Sequence, residues 1–100
     1  MIIKRHKTKN GLLLALCDKK ILGKKFSEGD LMLDLTSDFY KGEEAGDDEA
    51  LKLCKRAYLV NAVGEKSIKL LVENGFLDKN NIIFIAKIPH AQCLILQNEV

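Results

Sequence analysis

The chain has no tryptophan, a single proline and only six aromatic residues in one hundred. So few π-faces argue against a broad base-stacking platform; a nucleic-acid ligand would be held by shape or backbone contacts instead. Nor does any apolar run approach the roughly 20 residues needed to span a bilayer, so no membrane partner is expected. The N-terminal apolar stretch, Met1 to Ile3, is too short for a secretory leader, which points to the cytoplasm. Cysteine is scarce as well: Cys17, Cys54 and Cys93 lie far apart with no CxxC spacing. They read as reduced core thiols of a cytosolic protein. "HAQC" (His90 and Cys93) is at most half of a zinc site, so neither metal nor cofactor is expected.

What is present is an ordinary globular composition, 47% hydrophobic and 30% charged, sized for one domain over residues 1–100. The net charge of +2 conceals strong polarity. Residues 1–25 carry eight Lys/Arg and one acid, whereas residues 26–50 carry one Lys and nine acids. Two readings follow. The basic segment steers a partner by its field, or the two segments attract each other within the fold.

"IIKRHKTKNGLLLALC" predicts a hairpin, because Asn10-Gly11 tolerates positive φ at both centres of a two-residue turn. Leu12 to Cys17, apolar on both faces, reads as a central strand. The first strand carries Lys4, Arg5, His6 and Lys7 and reads as an edge. A loop punctuated by Gly23 and Gly29 leads to a third strand at residues 31–35, where leucines alternate. Phe39 and Tyr40 should anchor the polar connection that follows. Asp47 or Asp48 can cap a helix over residues 49–57, with acids at its start and Lys52, Lys55 and Arg56 towards its end.

Tyr58 to Val60 reads as a short buried strand, and a second helix runs from Gly64 to Glu73 with Gly75 as its C′ residue. Strands at residues 82–86 and in "CLILQ" (93–97) complete the pattern, with "IPHAQ" as the turn between them. The fold class is therefore α+β, a mixed sheet of about six strands in the order βββαβαββ. The fourth strand, second helix and fifth strand would make one βαβ crossover, right-handed if the strands are parallel.

The segment "NAVGEKS" raises a specific question. Asn61 would stand at a strand's carboxyl end, just before a helix whose first amides lack partners. Gly64 allows close approach of an anionic oxygen, and Lys66, Ser67 and Lys69 can grip a phosphate. Lys66 opposes the helix dipole at a cost of roughly a few tenths of a kcal/mol, which favours a ligand nearby. The alternative is a plain helix start, with Asn61 capping and Glu65 pairing with Lys69. "GEKS" lacks the glycines of a Walker loop. "VGEKSIKLLVENG" resembles the second half of a helix-hairpin-helix module, although "AYLVN" before it looks like a strand. In "IPHAQ", Pro89, His90 and Gln92 are further ligand candidates. His90 either pins the turn or acts as a base, with Glu65 as its possible companion.

Taken together, "LCDKKILGKKFSEGDLMLDL", "FYKGE", "NAVGEKSIKLLVENG" and "IPHAQ", in this order, resemble the small archaeal domain-of-unknown-function family 424. The resemblance covers nearly the whole chain. It implies a stand-alone cytoplasmic archaeal protein of about this size with no established activity. The family pattern falls on Leu22, Gly23, Phe39, Tyr40, Gly42, Glu43, Asn61, Val63, Gly64, Glu65, Pro89, His90, Ala91 and Gln92. It includes neither Lys66 nor Ser67, and it requires no cysteine at position 93.

Three functions fit these residues. An RNA-associated module, in translation or ribosome assembly, would use the basic hairpin (Lys4, Arg5, Lys7, Lys9, Lys19, Lys20, Lys24 and Lys25) with Lys66 and Lys69. A scaffold subunit would dock a protein partner through the acidic loop, residues 43–49. A small acid–base enzyme would need His90 and Glu65 together. The first is preferred, and an enzyme is not the expectation.

Overall fold

The computed structural model of the protein describes residues 1–95. Eight strands and two helices follow in the order β1 (Ile2–Thr8), β2 (Gly11–Cys17), β3 (Lys25–Glu28), β4 (Leu31–Asp34), β5 (Glu43–Glu44), α1 (Asp47–Arg56), β6 (Leu59–Val63), α2 (Glu65–Glu73), β7 (Ile83–Ile85) and β8 (Ile88–Leu94). Six strands form one mixed sheet, ordered β5-β1-β2-β6-β8-β7, while β3 and β4 form a separate ribbon. The α+β class with two helices and six sheet strands is thus as the sequence indicates.

The expected third strand, however, leaves the main sheet. Leu31–Asp34 pairs with Lys25–Glu28 rather than with the β1–β2 hairpin. Its apolar side chains still serve the core, because Leu33 and Leu35 are buried against the sheet's second face. The sixth place in the sheet is taken by the two-residue β5, which pairs with Ile2 and Ile3 and leaves the rest of β1 as an edge.

The crossover also differs from expectation. The parallel pair is β2–β6, so the chain crosses between them by way of the ribbon, β5 and α1. Strands β6 and β7 do run the same way, since both are antiparallel to β8, but β8 lies between them. The unit around α2 is therefore a split βαβ. "IPHAQ" is strand, not turn. The reversal falls one step earlier at Ala86 and Lys87, whose φ values of 51° and 66° are unusual for side-chain-bearing residues. Neither residue advertises a turn, which is why the sequence places it wrongly. Residues 96 and 97 of the expected last strand lie outside the described residues.

Two apolar clusters hold the sheet from opposite sides. On one face, Leu14, Leu16, Val60, Ala62, Ala91 and Cys93 meet Ala50, Cys54 and Ala57 at α1 and Ile68 and Leu71 of α2. On the other, Ala15, Cys17, Val63 and Ile85 meet Leu33, Leu35 and Tyr40. β2 is apolar on both faces because it is buried on both. α2 ends in a Schellman motif: Gly75, at φ 77°, lets Phe76 N–H reach the Leu71 carbonyl at 2.9 Å.

Candidate functional site

The start of α2 is closed by the chain's own carboxylate. Asp18 follows β2, and its N–H donates to the Val63 carbonyl at 3.0 Å. Its side chain, 6% exposed, then turns under the helix. Lys66 N–H donates to Oδ2 at 2.9 Å, and Ser67 donates to Oδ1 through both its N–H and its hydroxyl at 2.8 Å. Two first-turn amides and the helix dipole thus already have their anion. Gly64 is buried beneath this contact, and a Cβ there would sit 2.3 Å from Asp18 Cγ. Its φ of 107° excludes other residues as well. The open phosphate cradle expected at Gly64, Lys66 and Ser67 is occupied from within. The plain alternative is also amended, since Asp18 rather than Asn61 satisfies the helix. Lys69 is exposed, and no ion pair joins it to Glu65 among the described residues.

Asn61 sits instead in the middle of β6, because that strand runs on to Val63. Register places Lys4, Ala15, Asn61 and Gln92 in one row across the sheet and on one face. The flanking rows on that face hold Val63 with His90, and Leu59 with Leu94. The ribbon and the connection after it cover part of this face, and Tyr40 is buried where it meets Asn61. The Tyr40 hydroxyl donates to Asn61 Oδ1 at 2.8 Å, and His90 Nε2 lies 3.3 Å from the same oxygen. An oxygen only accepts, so Nε2 carries the imidazole proton and Nδ1 keeps its lone pair. Burial holds His90 below the usual histidine range, hence neutral, and pushes the Tyr40 phenol up to about 12. At the β1 side, His6 stacks on Phe39 with ring centroids 4.5 Å apart and bonds its carbonyl at 3.0 Å.

The remaining candidates separate. Pro89 is buried, and its carbonyl accepts from Gly64 N–H at 2.9 Å, joining the 61–67 and 88–92 segments. Glu65 is exposed at the helix start, while the partner of His90 is Asn61. The basic residues do not form one patch: Lys9 lies at the hairpin tip, Lys19 and Lys20 lie at the other end of β2, and Lys25 is on the ribbon, next to Lys24. Some meet the acidic segment directly, Lys19 with Glu44 at 3.0 Å and Arg5 with Glu49 at 3.9 Å. His90 and Cys93 fall on opposite faces of β8, so they cannot share an ion. Burial raises all three thiols, Cys17 to about 11 and Cys54 to about 12, which keeps them protonated and unreactive.

A family model described as "Protein of unknown function (DUF424)" matches residues 6–96. The chain belongs to this family. No curated protein matches it. Among solved structures, it is similar to an uncharacterized conserved protein from Methanopyrus kandleri, at 28% identity and a TM-score of 0.81. The likeness covers 99% of this chain and 94% of that one.

Membership gives the geometry a second meaning. Tyr40, Asn61 and His90 come from three of the motifs that carry the resemblance, and these side chains share one hydrogen-bonded oxygen. The glycines in "FYKGE" and "NAVGE" are places of close approach: a Cβ on Gly42 would lie 1.8 Å from the Ile3 carbonyl oxygen. Asp18 was missed in the sequence. Its one signal is position, an acid directly after a wholly apolar strand, in the "LCDKK" that opens the resemblance.

Proposed function

We propose that this family member is a cytoplasmic, RNA-associated module of archaeal type, acting in translation or ribosome assembly, whose ligand meets the margins of the second face of the sheet that the ribbon leaves uncovered. One observation carries the reading. The polar side chains of three family motifs converge on this face, with Lys4 in the same row, and the exposed Gln92 at its other end. The middle of this face is buried under the ribbon and Tyr40, so a ligand would meet the row at its accessible ends, Gln92 on β8 and Lys4 on β1, where Lys4 supplies a phosphate contact. The acidic loop gives less support to a docking role, since Glu44 and Glu49 are already paired within the chain.

Filter binding of short single-stranded RNA over a salt series tests this. Affinity should fall steeply as salt rises, and Lys4→Glu should weaken binding more than Lys9→Glu at the hairpin tip. Absence of salt-dependent binding, or equal effects of the two reversals, contradicts the proposal.

A further inference from the structure

The two edges of the six-stranded sheet are guarded unequally. On the β7 side the chain uses up its own outward amides: Ile82 N–H donates to the Lys79 carbonyl at 3.3 Å and Ala86 N–H to Glu28 Oε1 at 2.9 Å, which leaves only Phe84 between them. The β1 side is covered by β5 at Ile2 and Ile3 and is open from Lys4 to Thr8. Its neighbours fix which way this backbone points. The Leu12 carbonyl accepts from Tyr58 N–H on the β6 side, so Leu13, Ala15 and Cys17 turn theirs to β1 and ladder with His6, Lys4 and Ile2. Arg5 and Lys7 therefore hold N–H and C=O outward, on the side where the Met1 carbonyl accepts from Ala45 N–H at 2.9 Å. Neither backbone has a partner there among the described residues. Room lies beside them, since a cleft of about 380 Å³ lined by Ile3, Arg5, Gly42, Glu49 and Leu53 opens where β5 stops. Residues 4–9 add four cations and no acid.

We propose that β1 accepts an acidic segment of a partner protein as an added strand, in the lane that β5 begins. The partner's backbone bonds Arg5 and Lys7, and its carboxylates stand opposite these two side chains on the helix face. The residues between its acids lie on the other face, beside the stacked rings of His6 and Phe39. Cations on an edge discourage pairing in general. Here they also select, because a basic strand is repelled and an acidic one is attracted. A nucleic acid could use the same charges, but it has no alternating donors and acceptors to match a strand, so the backbone geometry favours a peptide. The inference stands apart from the RNA reading, which uses the Lys4 side chain and leaves the β1 backbone idle.

The probe is a short labelled peptide of alternating Glu and Val, titrated into the full chain beside its Lys/Val counterpart and a version N-methylated on the glutamates. Methylation keeps the charge and removes the N–H groups that face β1 in this register. The Glu/Val peptide should bind, the methylated one about five- to a hundredfold more weakly, on the scale of two hydrogen bonds, and the Lys/Val peptide not at all. Hydrogen exchange at the Arg5 and Lys7 amides should slow most in the complex. Lys7→Pro removes one outward N–H and no ladder bond, so it should weaken Glu/Val binding more than Lys7→Ala does. Equal binding of the plain and methylated peptides, or equal effects of the two Lys7 variants, overturns strand addition. Single-stranded RNA that protects the same two amides assigns the edge to nucleic acid and overturns it as well. Failure of the Glu/Val peptide to bind overturns it outright.

Discussion

The carboxyl end of β6 and its middle handle polar groups in opposite ways. At its carboxyl end, a helix start that looks built for an anion is completed by Asp18, with two amides and a hydroxyl on one buried carboxylate. At its middle, the Asn61 amide oxygen accepts from Tyr40 and lies 3.3 Å from His90 Nε2, while its nitrogen has no partner among the described residues and reaches solvent. Both places are buried and both fall in the "NAVGEKS" segment. Their difference teaches that a favourable motif is no site until its donors are counted. The helix start is architecture, and the sheet face is where a ligand has something to add.

Breaking the closed end should have the largest effect. In Gly64→Ala the new Cβ displaces Asp18 and meets a backbone at positive φ, so we expect a loss of about 3 kcal/mol or more by denaturant unfolding. Asp18→Ala removes the three hydrogen bonds without the clash and should cost about 2 to 4 kcal/mol. If Asp18→Ala also gained affinity for inorganic phosphate, the helix start would be a latent anion site, which sharpens the contrast. At the open end, Tyr40→Phe should cost only about 1 kcal/mol, since one acceptor loses one of two donors. In the β7–β8 turn, which belongs to neither end, Lys87→Gly should stabilise by about 0.5 kcal/mol through relief of the left-handed backbone.

A pH series gives the smallest and most specific signal. His90 is held below the unfolded histidine range near ~6.5, so the unfolded chain takes up its proton first as pH falls. Its contribution to stability is complete above that range and is lost as pH drops from there through the folded value. The component should vanish in His90→Gln. Its persistence there would mean another group titrates.

Much of the fold was legible because pattern and burial coincide. Leu12 to Cys17 reads as a central strand and is one, and Gly75 marks its turn by conformational need. The first hairpin falls where the sequence puts it but one residue out: its centres are Lys9 and Asn10, neither at positive φ, and only Gly11, which opens β2, takes one, at 120°. The ribbon was not, since residues 25–28 alternate too weakly to reveal a strand. The β7–β8 turn was hidden because Ala86 and Lys87 adopt a glycine-like conformation. Of the candidate site, the sequence named Asn61, His90 and Gln92 only among eight ligand candidates, and placed them at a helix start and a turn rather than on the paired strands β6 and β8. The partners that decide their roles, Asp18 for the helix and Tyr40 for Asn61, lie 49 and 21 residues away, and no local pattern connects them.

The most direct test is an amide chemical-shift map of the isotope-labelled chain as single-stranded RNA is added, with inorganic phosphate as a parallel titration. The account predicts that Asn61, His90 and Gln92 move with RNA, while the Lys66 and Ser67 amides stay fixed in both titrations. Movement of Lys66 and Ser67 with a silent sheet face would contradict it.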